Sequence, residues 1–354
     1  MTTVRNMVFK GGGVRGIAYL GALKYCFERD WVRHVKRVAG TSAGAITAVI
    51  LALNLDDFQE LKTIADSLDY RRVPSDGDES DAPRQGSESN RLAARLQSLG
   101  FVKNIQCTSR LIQEKGWYSS EYFYEWLRAI IKSRFSIAKD AYTFRDFADS
   151  SIHKEGKTFL DLYVTGTDIS NRRSRIFSLQ TTPDLEVALA VRMSMSIPLF
   201  FEAVPYRYPG TEDEQLYVDG GIMWNYPIGL FDDPKYGRKF SEGVNQETLG
   251  FFVYVSPEKE THRPIKGLVD HIGALFETLL FAQEKLVFQG ESAKGRTIFI
   301  DDMGVEQTEF DIVTGDPTYT KLFDSGYRAA LDFARDKMNE SSLFKRLQRR
   351  LGWN

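Results

Sequence analysis

Val38-Ala39-Gly40-Thr41-Ser42-Ala43-Gly44-Ala45 reads as the end of a short apolar strand, a tight turn and the start of a helix. Ser42 stands at the turn. In a G-x-S-x-G turn the serine backbone is strained and its neighbours crowd the following helix, so glycines flank it, here Gly40 and Gly44. The helix continues through Ala45, Ala48, Leu51 and Ala52. Its free N–H groups and the positive end of its dipole point at the serine, where they stabilise negative charge. Read alone, the pattern equally suits small residues that let a helix pack closely on a sheet.

Upstream, apolar residues 4–9 read as a strand that empties into Lys10-Gly11-Gly12-Gly13-Val14-Arg15-Gly16, and Ile17, Leu20, Leu23 and Phe27 then recur at helical spacing. Strand, glycine loop, helix, strand (35–39), glycine turn, helix is the rhythm of a parallel α/β sheet. Downstream a helix is predicted over 56–68. Residues 74–90 carry hardly an apolar side chain and read as a mobile surface loop. Helices over 92–114 and 119–133 complete a helical insertion at about 56–135, whose aromatics Tyr122, Phe123 and Trp126 read as core. Strand signals return at 159–167 and 175–179, and Thr182-Pro183 opens a helix to about 195. Strands over 200–208, 216–218, 248–255 and 297–300 and long helices over 265–288 and 317–338 complete the reading.

Two further motifs bear on chemistry. Gly11-x-Gly13-x-x-Gly16 after a strand fits a dinucleotide fingerprint as well as an oxyanion loop. A dinucleotide site needs an acidic residue about 20 positions on, at the end of a second strand; Glu28 and Asp30 are near that distance but close a helix. Three successive glycines followed by Arg15 suit a loop whose N–H groups turn inward around a small anionic oxygen. Asp219, in Tyr217-Val218-Asp219-Gly220-Gly221, ends a strand, where ligands gather at the edge of a parallel sheet. Out of context it reads as a turn residue. Beside Ser42 and the glycine loop it reads as a base. None of His34, His153, His262 and His271 has the setting of a triad histidine, and a partly desolvated carboxylate held against a serine can take the proton instead.

Composition limits the partners. A net charge of -2 and a hydrophobic share of 42% describe an ordinary globular chain without the basic excess of a nucleic-acid binder. Cys26 and Cys107 are the two cysteines, with no C-x-x-C spacing, which points to a reducing compartment and to neither a metal cluster nor a cofactor. No apolar leader or spanning run is present. The expected location is cytoplasmic, peripheral membrane contact included, unless export uses no N-terminal signal.

With these motifs in hand, the sequence resembles the bacterial branch of the patatin-like phospholipases. The resemblance rests on Gly11-Gly12-Gly13-Val14-Arg15-Gly16, Gly40-Thr41-Ser42-Ala43-Gly44 and Asp219-Gly220-Gly221 in that order, with Arg192-Met193-Ser194-Met195-Ser196-Ile197-Pro198 ahead of the aspartate. It implies a three-layer α/β/α fold with a mostly parallel central sheet, and a lipid acyl hydrolase acting on phospholipid or lysophospholipid. Ser42 carries over as nucleophile and Asp219 as its base. The amides around Gly12, Gly13 and Val14 carry over as the oxyanion hole, with Arg15 shaping the loop. The family often has alanine where Gly221 stands. A protein activator is a partner that many relatives need. On this reading 4–300 form the hydrolase domain and 301–354 a helical extension packed on it. In the basic tail 342–354, Leu343, Leu347 and Leu351 share a helical stripe suited to peripheral membrane contact. Two other functions stay open: a catalytically silent lipid-binding or scaffolding relative, and a dinucleotide-binding oxidoreductase supported by glycine spacing.

Overall fold

The computed structural model describes residues 3–75, 116–256, 265, 268–289, 293 and 295–339. From the N-terminus, β1 (Asn6–Phe9) leads through a 3-10 turn (Gly13–Gly16) into α1 (Ile17–Glu28), and β2 (Arg37–Thr41) leads through Ser42 into α2 (Ala43–Ala52). α3 (Phe58–Asp66) is capped by the Asp57 carboxylate, which accepts the Glu60 N–H. Then come β3 (Gly116–Tyr118), α4 (Glu121–Lys132), α5 (Phe144–Ala148), the hairpin of β4 (Asp161–Asp168) and β5 (Arg173–Phe177), and α6 (Val187–Met195). β6 (Leu199–Phe201), β7 (Val204–Arg207) and β8 (Glu214–Asp219) precede the single-turn α7 (Gly221–Trp224). The remaining described elements are β9 (Phe240–Ser241), β10 (Val244–Asn245), β11 (Thr248–Tyr254), α8 (Leu268–Gln289), β12 (Thr297–Asp301) and α9 (Pro317–Asn339).

Among the described residues, β12, β11, β1, β2 and β4 lie side by side and parallel, and β5, β8 and β7 join antiparallel, giving a mostly parallel eight-stranded sheet. Strand alternation divides its core in two. Met7 and Phe9 of β1, Leu249, Phe251 and Val253 of β11, and Ile298 and Ile300 of β12 face the layer of α1, α2 and α6. Val8, Phe252, Tyr254 and Phe299 face the opposite layer, with Tyr226, Ile228 and Phe231. The parallel strands are buried on both sides, as a three-layer α/β/α arrangement requires. α9 lies along α1, where the Tyr25 and Tyr327 rings meet edge-on at 5.6 Å.

Val164 and Thr165 of β4 pair with both β5 and β2, while Gly166 to Asp168 pair with both β5 and β8. A strand has two hydrogen-bonding edges, so β2 and β8 share one edge of β4. They run toward each other, with Thr41 opposite Thr165 and Asp219 opposite Gly166. Their C-terminal ends meet head to head. The expectation that Asp219 ends a strand holds, but that strand is antiparallel to β4.

Two other expectations change. The helix predicted from Thr182-Pro183 begins at Val187, because the preceding backbone is taken: Arg145 N–H donates to Pro183 O, Phe144 N–H donates to Leu185 O, and Glu186 bridges to Thr143. The strand predicted over 200–208 is two strands, one pairing with β3 and the other with β8. Between them Glu202 turns its N–H to Tyr118 O and its carboxylate toward Arg192. The bulk of the 74–90 loop, the 92–114 helix, Cys107, His262 and the 342–354 tail lie outside the described residues. No described helix is long and apolar enough to cross a membrane.

Candidate active site

Ser42 links β2 to α2 with φ 53° and ψ -126°, a conformation that side chains rarely adopt, and its side chain does not cap the helix it starts. Glycine is needed on both sides. A Cβ on Gly40 would run into the Gly44 carbonyl, and one on Gly44 into the carbonyls of Phe9 and Lys10. The Ser42 N–H donates to Ser194 Oγ at 2.8 Å, and its carbonyl accepts the Ala45 N–H at 2.8 Å.

Asp219 is buried, and its backbone is held by the C-terminal end of α6: Asp219 N–H donates to Ser196 O at 2.7 Å and Gly220 N–H to Ser194 O at 3.1 Å. Ser194 therefore ties the serine turn to the aspartate strand, its hydroxyl on one and its carbonyl on the other. The Asp219 carboxylate accepts the Gly221 N–H at 2.6 Å and interacts with the Ser42 hydroxyl. Burial pushes its pKa up to about 7, against the smaller lowering effects of the Ser42 hydroxyl and Gly221 N–H. A carboxylate of that proton affinity can take a proton from a serine near neutral pH.

The glycine loop lies beside this pair. Gly11 N–H donates to Asn225 O at 3.0 Å, Val14 N–H to Gln307 O at 3.0 Å, and Arg15 N–H to Gly12 O at 3.3 Å. Val14 is thus withdrawn from the expected set of oxyanion donors, because its amide is already paired. The Gly12 and Gly13 N–H groups make no hydrogen bond among the described residues. Gly13 has φ +57° and sits against Gln307, whose carbonyl a Cβ would strike. Arg15 is buried; its Nε donates to Val305 O at 2.7 Å and its Nη2 pairs with Asp302 at 3.2 Å. Residues 302–307, just past β12, therefore clamp the loop. Sequence reading did not single them out, since they work through carbonyls and one ion pair that no motif marks.

Ser42 opens on an apolar cavity lined by Ile46, Leu68, Phe123, Met195, Phe201 and Phe310 among others. A second shares Val14, Ala43, Ile46, Leu68 and Tyr70 with it and extends to Leu20, Ile50, Leu61 and Trp126. The α4 aromatics divide accordingly. Phe123 is core and lines the first cavity, while Trp126 lines the second and donates its Nε1–H to Ser67 Oγ at 2.9 Å.

No described histidine reaches this site's polar groups. His153 is buried, hydrogen-bonded to the carbonyls of Asp146 and Lys157 and stacked on Phe159 at 3.7 Å; His34 and His271 are exposed. Among the described residues no group of three or more His, Cys, Asp or Glu could hold a metal ion. For a dinucleotide, the second strand ends on Gly40-Thr41-Ser42 without the carboxylate a ribose requires. Glu28 accepts from Tyr327 OH and Asp30 pairs with Arg33 at the surface.

The sequence model of the family described as patatin-like phospholipase matches residues 7–232. The chain belongs to the patatin-like phospholipase family. Among individual proteins, it is 27% identical over 283 residues to the uncharacterized protein YqhO of Bacillus subtilis, covering 78% of this chain and 80% of that one. It is 25% identical over 254 residues to the probable lipid hydrolase 463L of Invertebrate iridescent virus 6, covering 71% of each. VipD from Legionella pneumophila shares the fold with a TM-score of 0.53 at 18% identity, over 94% of this chain and 67% of that chain.

Proposed function

We propose that the protein hydrolyses acyl esters of phospholipids or lysophospholipids, with Ser42 as nucleophile, Asp219 as base and the Gly12 and Gly13 N–H groups as oxyanion donors. The observation that carries this reading is the meeting of a strained serine with a buried carboxylate of pKa about 7 at the mouth of an apolar cavity. Ser42 Oγ attacks the ester carbonyl and Asp219 takes its proton; the departing alcohol recovers that proton, and water repeats the sequence on the acyl-serine. The cavity holds the acyl chain away from water.

The test compares wild type with Ser42→Ala. Alanine keeps the turn's shape, so the variant should fold, lose labelling by a fluorophosphonate and lose ester hydrolysis by several orders of magnitude. Retention of more than about a tenth of the activity would remove Ser42 from the mechanism. Lipid profiles of cells expressing the two forms would then name the substrate. Residues 342–354 enter the same proposal as a membrane contact: their four basic side chains contribute on the order of 1 kcal/mol each at an anionic surface. Deleting them should weaken cosedimentation with anionic liposomes at low salt and spare hydrolysis of a soluble short-chain ester. Unchanged liposome binding would assign docking elsewhere.

A further inference from the structure

The turn after Asp219 brings another polar group into the site. α7 is one turn long and returns the chain to the glycine loop, so that the Asn225 carbonyl accepts Gly11 N–H at 3.0 Å and the Asn225 N–H donates to Gln283 Oε1 at 2.9 Å. Gln283 Nε2 closes the turn by donating to Gly221 O at 2.7 Å and Ile222 O at 3.0 Å. The Asn225 backbone is fully engaged. Its side chain is not: the residue is 3% exposed, and Nδ2 makes no hydrogen bond among the described residues.

The surroundings of that carboxamide belong to the proposed reaction centre. Its Oδ1 lies against Gly11, where Ser42 Cβ is 3.1 Å from the place a Gly11 Cβ would take. The same Oδ1 is 3.0 Å from the place a Gly221 Cβ would take, and Asp219 Oδ1 is 2.9 Å from that point. The carboxamide is wedged between the glycine loop and the aspartate turn. A buried N–H without an acceptor is costly to keep, and native structures keep few of them. This one stands beside the proposed nucleophile and the Gly12 and Gly13 N–H groups, which make no hydrogen bond among the described residues.

We propose that Asn225 is a catalytic residue: its Nδ2 joins the Gly12 and Gly13 N–H groups in donating to the carbonyl oxygen of the reacting ester. The inference rests on the acyl-hydrolase reading above. When Ser42 Oγ bonds to the carbonyl carbon, its proton passes to Asp219 and the C=O π pair moves onto oxygen, which the three donors receive. When that pair re-forms C=O, the ester C–O bond breaks and the alcohol leaves with the proton from Asp219. A neutral amide suits this position because it donates without placing a second negative charge beside Asp219.

The experiment measures kcat and KM for 4-nitrophenyl butyrate, the rate of fluorophosphonate labelling of Ser42, and the melting transition, in wild type, Ser42→Ala, Asn225→Ala and Asn225→Leu. A donor to the developing anion is felt in the transition state and not in ground-state binding. Either Asn225 variant that melts cooperatively should lose about 10²–10³-fold in kcat, with KM within about threefold and labelling slowed in parallel. Leucine is close to asparagine in size, so it keeps the packing if alanine loosens the turn. A folded variant with kcat within about threefold of wild type, or with the loss confined to KM, overturns the assignment and leaves the proposed reaction standing. A wild type indistinguishable from Ser42→Ala in both hydrolysis and labelling overturns that reaction, and this inference with it.

Discussion

Burial sets the proton affinity of Asp219, and the same burial makes the ionised form costly to the fold. With its pKa raised from 3.8 to about 7, the folded state holds the proton more tightly than the unfolded chain between those values. The resulting stabilisation is full below about pH 4 and is lost as pH rises through about 7. Two outcomes follow from one shift. The kcat/KM of the wild type should climb with pH and level off above an apparent pKa near 7, because the base must be unprotonated. Asp219→Asn should be almost inactive, yet above pH 7 more stable than wild type by an amount on the order of a few kcal/mol. That difference should shrink toward pH 4. Denaturant titrations at pH 4 and 8 check it, and an asparagine variant less stable at pH 8 would contradict the cost assigned to the charge. At this scale the strained turn at Ser42, the glycines that flank it and the strand end at Asp219 were legible because each position depends on its own residue type. The contacts of Ser194, Asn225 and Gln307 were not, because each is made with a part of the chain far away in sequence.

At the scale of elements, the periodicities in the sequence placed the parallel strands and their helices within a few residues, since burial on both faces leaves near-continuous apolar runs. They failed where the backbone changes partner, at 183–186 and at 202–203, because a competing hydrogen bond leaves no trace in composition. The antiparallel run of β8 was hidden for the same reason. α2 has two tasks on two turns: it starts at Ser42 and presents Ile46 and Ile50 to the apolar cavities. Ile46 lines both, whereas Ile50 lines only the one farther from Ser42. Ile50→Phe should therefore shorten the acyl chain accepted, lowering kcat/KM for a sixteen-carbon ester about tenfold or more relative to a four-carbon one, an effect of the size of one or two methylene discriminations. Equal losses on both esters would argue that the second cavity takes no part of the chain.

Across the whole molecule, the site draws on residues beyond the matched 7–232. β1 lies between β2 and β11, so the strand that feeds the glycine loop is flanked on one side by a later part of the chain. Lys10 pairs with Glu284 of α8 at 2.7 Å with both side chains buried, and Arg15 is held by Asp302 and Val305. Asp302→Ala would strand the Arg15 guanidinium in the interior, and breaking a buried pair in this way costs about 3–5 kcal/mol. Removing the charge as well, in Arg15→Met with Asp302→Ala, should restore much of that stability without restoring kcat, since the loop stays unclamped. Recovery of both together would show that the pair serves the fold and not the loop.

The clamp also sets a timetable. A ribosome completes Ser42 and then Asp219 well before it reaches Asp302, Val305 and Gln307, and β12 must join the sheet before those three can close on Gly13, Val14 and Arg15. A nascent chain thus carries Ser42, the proposed nucleophile, past the tunnel exit with the proposed oxyanion loop still unset. For a protein whose proposed substrate is a phospholipid, the proposed site is complete only after β12 has docked.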